Sequence, residues 1–141
     1  MKTVFFVLWL SLIVSSQETG SSFKNVKSYI LKDLNQSIKP SDLFVIFSID
    51  ICNTCLIQHI NTLNTSTKLL NVIAVGNSKK KISFKLKDIN RKYINLIYDS
   101  KNIAVKKEIC SAEELVVFSM SKKNVAKIPY DDFYSLAYEI K

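Results

Sequence analysis

Two cysteines separated by two residues, Cys52 and Cys55, are the side chains in this 141-residue sequence best suited to chemistry. They follow the apolar run from Leu43 to Phe47, which has the length and composition of a buried strand. The sequence after the two cysteines carries apolar side chains at helical spacing: Leu56, Ile60 and Leu63. The first cysteine would therefore stand at a helix N-terminus, where unpaired N–H groups and the helix dipole stabilise a thiolate. The pattern predicts a redox-active pair.

Three other interpretations of the pair stay open, namely a structural disulfide, a vestigial site and a metal site. His59 lies on the same helix face, and Cys110 could supply a fourth metal ligand or join a redox cycle. However, Cys52 and His59 are two helical turns apart, roughly 10 Å at the rise of an α-helix, which is too far for one zinc ion. We therefore predict no metal site and no cofactor, a surface or partly buried His59, and a buried, unpaired Cys110.

The first sixteen residues have the pattern of a secretory signal peptide. Lys2 precedes an apolar run from Val4 to Val14, and Val14-Ser15-Ser16 fits a cleavage site. The run is short for a membrane span, which needs about 20 residues, and an uncleaved membrane anchor is the alternative. We expect an exported chain, periplasmic or secreted, with membrane contact only if this segment is uncleaved. Disulfides persist in those compartments.

The net charge of +8 comes almost wholly from lysine, because Arg91 is the only arginine. Arginine forms bidentate hydrogen bonds with phosphates and base edges, so a chain with one arginine is not expected to have a nucleic-acid partner. The lysines fall in scattered groups, which indicates a solvated basic surface.

Strand and helix patterns alternate along the chain. An amphipathic helix is predicted over about 23–35 and should pack on the sheet of its own domain. Further apolar runs predict strands at Leu69–Val75 and Asn95–Tyr98, and a β-hairpin from Leu115–Met120 and Val125–Ile128. A last helix follows Pro129. The order predicts an α/β fold with a mixed central sheet, divided into a signal peptide (1–16), a leader with the N-terminal helix (17–39) and one domain (40–141).

The segment from Val45 to Cys55, Val-Ile-Phe-Ser-Ile-Asp-Ile-Cys-Asn-Thr-Cys, resembles the Val-x-Phe-(Trp/Ser)-Ala-x-Trp-Cys-x-x-Cys signature of the thioredoxin superfamily. The resemblance covers residues 40–141, and the export signal and N-terminal helix are similar to the exported TlpA-like or redoxin-like branch. It implies a three-layer α/β/α sandwich and a thiol–disulfide oxidoreductase. Cys52 would be the nucleophile and Cys55 the resolving thiol. The implied partners are protein thiols or disulfides, or a partner redox protein.

The chain departs from the thioredoxin pattern around the pair. Ile46 stands where many thioredoxins have a buried carboxylate, with Asp50 a poor substitute, and Ile51 and Ile60 replace an aromatic residue and a proline. Glu113 lies nearest the place of the cis-proline that receives substrate. A cis bond before a residue other than proline costs roughly 2.5–4 kcal/mol, so a trans loop is expected. The alternative function is therefore a non-catalytic protein- or peptide-binding module.

Overall fold

The computed structural model describes residues 20–121, 125–129 and 132–133. The predicted signal peptide (1–16), the first residues of the leader (17–19), the hairpin turn (122–124) and most of the predicted last helix lie outside the described residues. Within the described ranges, no helix is both long enough and apolar enough to cross a membrane.

Helices and strands alternate in the predicted order. The elements are α1 (Gly20–Ser28), a π-helical turn (Tyr29–Asp33), β1 (Leu43–Ser48), α2 (Asn53–Asn64), β2 (Leu70–Val75), α3 (Lys79–Lys85), β3 (Ile94–Asp99), α4 (Ile103–Lys106), β4 (Leu115–Met120) and β5 (Val125–Ile128). The predicted hairpin is present with the bounds that the sequence indicated. The N-terminal helix is also present, as α1 and the π-helical turn.

The five strands form one mixed sheet in the order β3-β2-β1-β4-β5. β1 pairs in parallel with β2, and β2 with β3, whereas β4 runs antiparallel to both β1 and β5. The predicted α/β class with a mixed central sheet is thereby confirmed. Because β1, β2 and β3 run in parallel, their carboxyl ends meet at one edge of the sheet, and Cys52 follows β1 at that edge.

Each face of the sheet is covered by its own hydrophobic core. Side chains alternate along β1, so that Val45 and Phe47 lie in the core with α2 and α3, whereas Phe44 and Ile46 lie in the core with the N-terminal helix and α4. This arrangement is a three-layer α/β/α sandwich, compatible with a thioredoxin-like fold. The N-terminal helix packs on the sheet of its own domain, as predicted.

Ile82, Leu86, Ile89 and Tyr93 recur at helical spacing in the sequence, which predicts a longer helix than the observed α3. Leu86 and Ile89 are buried as the pattern requires, but the helix ends at Lys85 because Leu86 leaves helical geometry, with φ −106° and ψ 22°. Burial of these side chains therefore comes from a packed loop and not from a longer helix. Tyr93, predicted on the same face, is 37% exposed.

A buried hydrogen-bond cluster at Asp99 ties the N-terminal helix to the end of β3. The side chain of Asp99 is almost fully buried and accepts a hydrogen bond from the Tyr29 hydroxyl at 2.9 Å. It also accepts from the backbone N–H groups of Ile103 and Ala104, at 3.0 and 2.8 Å. Those are the first two residues of α4, so Asp99 caps this helix. The same carboxylate also accepts the hydrogen bond of the buried Tyr29 hydroxyl.

We expect Tyr29→Phe to lower the free energy of unfolding by about 1–3 kcal/mol, because it removes a buried donor to a carboxylate that keeps its other partners. Urea denaturation measures this change. Tyr98→Phe is the matched control, because the Tyr98 hydroxyl bonds Arg91 at the surface, and it should cost less than about 0.5 kcal/mol. Equal losses in the two variants would contradict a specific role for the buried pair.

Candidate redox site

Cys52 and Cys55 are joined by a disulfide at the N-terminus of α2. Their Cα atoms are 5.2 Å apart. Cys52 is exposed, whereas Cys55 is half-buried and packs at the edge of the core beneath α2. The Cys52 sulfur is therefore accessible from solvent, and Cys55 lies behind it. Their roles as nucleophile and resolving thiol stay a prediction.

Cys52 is the residue that starts the helix. Its backbone is extended, its carbonyl accepts the N–H of Leu56 at 2.9 Å, and its sulfur accepts the N–H of Cys55 at 3.1 Å. Ser, Thr, Asp and Asn usually occupy this capping position, because their oxygens satisfy the free N–H groups of the first turn. A disulfide sulfur is a weak acceptor by comparison, whereas a thiolate in the same place is a charged one. Reduction of the disulfide would strengthen this cap.

The loop between β1 and the cysteines is anchored in the core. The N–H of Ile49 donates to the carbonyl of Val75 at 2.9 Å, and the side chains of Ile49 and Ile51 are buried. Ile49 packs directly on Gly76, where an added Cβ would lie only 2.9 Å from two of its carbon atoms. A glycine is therefore needed at position 76 to let this loop lie close to the end of β2.

Two lysines of α3 contact the same loop. The Lys85 ammonium donates to the carbonyl of Ile49 at 2.9 Å, and Lys81 forms an ion pair with Asp50 at 2.6 Å. Both partners of that pair are more than a third exposed, so it stabilises the fold by less than about 1 kcal/mol. The ion pair also neutralises the carboxylate of Asp50, the residue near the cysteine pair that is a poor substitute for the buried carboxylate of thioredoxins.

A cleft of about 410 Å³ opens beside Cys55. It is lined by residues of α2, of the loops before α2 and β4, and of the start of β4: Ile51, Cys55, Gln58, His59, Glu113, Glu114 and Leu115. Glu113 and Glu114 are exposed. The Glu114 carboxylate accepts the backbone N–H of Ser111, and the backbone N–H of Glu113 donates to the Ser111 hydroxyl. The described residues contain no cis peptide bond. The loop before β4 is therefore trans, as expected, and it places the acidic side chains of Glu113 and Glu114 in the same cleft as Cys55.

His59 is more buried than the sequence suggested and forms part of the cleft wall. Its ring lies 5.8 Å from the ring of Phe47, centroid to centroid. Burial lowers the pKa of His59 below its ordinary 6.5, so the imidazole is neutral at pH 7. The positions of His59 and Gln58 in a cleft wall were not predicted from the sequence. Their spacing of three and four residues from Cys55 is the signal that places them on its face.

Ile46 faces away from the cysteines. Its side chain is fully buried in the core with the N-terminal helix, and Phe47 occupies the face beneath α2. The region under the pair is therefore apolar, and the departure from the thioredoxin pattern at position 46 concerns the opposite side of the sheet. Across the described part of the chain, no three His, Cys, Asp or Glu side chains come together as a metal site would require.

Cys110 is a buried, unpaired thiol, as predicted. It is 3% exposed and lies in the core with Tyr29 and α4, on the other face of the sheet from α2. Burial raises the pKa of the Cys110 thiol to about 12, and the nearby carboxylates of Glu114 and Asp99 add to the effect. This position does not support a part in a redox cycle with Cys52 and Cys55.

No model of a known protein family matches the sequence, and neither a curated protein nor a solved structure resembles it significantly. The mixed five-stranded sheet, the helices on its two faces and the C-x-x-C disulfide are compatible with a thioredoxin-like fold. Membership of that superfamily stays a prediction from the sequence. The function must be inferred from the chain's own residues.

The positions of the three cysteines predict very different reactivity. After reduction under native conditions at pH 8, iodoacetamide should modify Cys52 rapidly and leave Cys110 unmodified until the protein is denatured. With a pKa of about 12, only about one Cys110 side chain in ten thousand is a thiolate at that pH, and its burial also blocks access. Peptide mass spectrometry measures both sites. Modification of Cys110 as fast as Cys52 would contradict this assignment.

Proposed function

We propose that this chain is an exported, thioredoxin-like thiol–disulfide oxidoreductase that uses the Cys52–Cys55 pair. One observation carries the proposal: an exposed sulfur caps a helix and is joined to a half-buried cysteine at the wall of a cleft. A disulfide with a purely structural role gains nothing from that exposure. The signal-peptide pattern of residues 1–16 supports export.

In the proposed reaction, the reduced pair transfers two electrons to a substrate disulfide. The Cys52 thiolate attacks one substrate sulfur, the substrate S–S bond breaks, and one substrate thiolate leaves as a mixed disulfide forms. Cys55, deprotonated, then attacks the Cys52 sulfur, releases the second substrate thiolate and restores the Cys52–Cys55 disulfide. Both leaving thiolates take up protons from water. The reverse sequence would oxidise a substrate dithiol.

Two opposing electrostatic effects act on the Cys52 thiolate. The helix N-terminus stabilises a negative charge by about 0.3–1 kcal/mol, and up to about 2 kcal/mol where it is partly buried. Glu113 and Glu114 oppose it, but both are exposed, and charges about 4 Å apart in water interact by only about 1 kcal/mol. The N–H of Cys55 contacts the sulfur directly, so its effect is local and little screened. We therefore expect a net stabilisation of the thiolate.

The cleft is the proposed place for the substrate chain. It combines apolar walls from Ile51 and Leu115 with the amide of Gln58 and two exposed carboxylates. Such a mixture suits an extended peptide segment, with apolar side chains against the walls and backbone groups near Gln58. The partner would be a protein disulfide or dithiol, or a second redox protein.

A second candidate is a non-catalytic module that binds a protein or peptide in the same cleft. The apolar surroundings of the pair favour it, because among the described residues no buried carboxylate lies beneath α2 to take a proton from Cys55. In that case the disulfide would only fix the start of the helix. Full activity of a Cys52→Ser, Cys55→Ser double variant in its host would favour this candidate.

The oxidoreductase proposal is tested by the reduction of a disulfide-bonded protein with dithiothreitol as electron donor. Wild-type protein should accelerate the reaction, and Cys52→Ser should return it to the uncatalysed rate. Cys55→Ser should instead accumulate a mixed disulfide through Cys52, because no second thiol remains to resolve it. Non-reducing electrophoresis and mass spectrometry identify the adduct.

Cys110→Ser is the matched control, because it removes the one thiol outside the pair and should leave the rate unchanged. The proposal fails if wild-type protein does not accelerate the reaction. It fails equally if the Cys55→Ser variant forms no more adduct than Cys52→Ser does.

A further inference from the structure

A basic surface with interleaved aromatic rings covers α3, the loop after it and the edge strand β3. Between residues 77 and 98 the sequence carries seven lysine or arginine residues and one carboxylate, Asp88. This short stretch therefore contributes most of the chain's net charge of +8. The cations of this stretch lie on α3 and on the loop that follows it, before the start of β3.

Cation–aromatic contacts join the members of this surface. The ammonium groups of Lys79, Lys87 and Lys92 lie 5.3, 5.6 and 5.1 Å from the ring centroids of Tyr98, Phe84 and Tyr93 respectively. Such contacts leave the ammonium group at the surface with its charge uncompensated.

Arg91 belongs to the same surface. Its guanidinium donates to the Tyr98 hydroxyl at 2.8 Å, and that hydroxyl also accepts from Ser83 at 3.4 Å. The contacts of Tyr98 therefore connect α3, the following loop and β3. Hydrogen bonding to Ser83, together with the neighbouring positive charges, lowers the pKa of Tyr98.

Carboxylates do not neutralise these cations within the described residues. Lys81 is the member of the stretch with an ion pair there, to Asp50. Phe84 projects from the middle of the surface with 72% of its side chain exposed. The exposed ring of Phe84 has no structural role in the core, because the core beneath α3 is filled by Ile82, Leu86 and Ile89.

We propose that this surface binds anionic lipid membranes, with Phe84 as the apolar anchor and Lys79, Lys80, Lys87 and Lys92 facing the headgroups. Lysine ammonium groups next to a bilayer attract anionic lipids, and an aromatic ring enters the boundary between the lipid headgroups and the acyl chains. Single-stranded nucleic acid is the competing anion. It is disfavoured because recognition of nucleic-acid bases prefers arginine, and Arg91 is already bonded to Tyr98, whereas lysine charge alone attracts an anionic membrane. The inference is independent of the redox chemistry.

Vesicle co-sedimentation of the full chain tests the proposal. Phosphatidylcholine vesicles are compared with vesicles that also contain phosphatidylglycerol, and the protein should bind the anionic vesicles more tightly. Each lysine near such a surface contributes about fivefold in affinity, so the triple variant K80A/K87A/K92A should bind about a hundredfold more weakly. Phe84→Ser should lower the affinity about tenfold.

Matched controls lie on the opposite face of the sheet. The triple variant K24A/K27A/K32A removes the same charge from exposed positions of the N-terminal helix, and Leu31→Ser removes an apolar side chain that is 41% exposed there. Both should change the affinity less than threefold. The comparison also separates this surface from the apolar segment 4–14, which is identical in every variant.

Two results would overturn the proposal. Equal losses in the two triple variants would show an effect of net charge alone, without a specific surface. Loss of binding to a single-stranded oligonucleotide in K80A/K87A/K92A, without any loss of vesicle binding, would assign the surface to nucleic acid instead.

Discussion

The hydrogen bond from the Cys55 N–H to the Cys52 sulfur is the interaction around which the site is built. It makes Cys52 both the last residue of the loop after β1 and the cap of α2. The same sulfur atom therefore caps the helix and, in the proposed function, attacks the substrate disulfide. A thiolate at this position would stabilise the helix more than a disulfide sulfur does.

The rest of the fold supplies the rigidity that this arrangement needs. β1 lies in the middle of the sheet, with a core on each face, so its end is fixed from both sides. Ile49 packs on Gly76, and Lys85 bonds the carbonyl of Ile49, so the short loop to Cys52 has little freedom. On the opposite face, Asp99 binds the N-terminal helix and α4 to the end of β3. Flexibility at the disulfide is therefore not needed for access, because Cys52 is already exposed.

Patterns that depend on local periodicity were predictable from the sequence. The apolar runs of β1, β2 and the hairpin, and the spacing of Leu56, Ile60 and Leu63, fix those elements without long-range information. The early end of α3 was not predictable, because burial of Leu86 and Ile89 looks the same in a helix and in a packed loop. Strand alternation alone did not show that Ile46 faces away from α2.

The contribution of His59 and Gln58 to the cleft was not predictable either, because it depends on how the loop before β4 approaches α2, which is a long-range contact.

The central claim, that the pair is redox-active, is tested most directly by its reduction potential, measured by equilibration with glutathione buffers of known ratio. Stabilisation of the Cys52 thiolate predicts a value within the range of thiol–disulfide oxidoreductases, about −270 to −120 mV. A value below about −300 mV, typical of structural disulfides, would contradict the account.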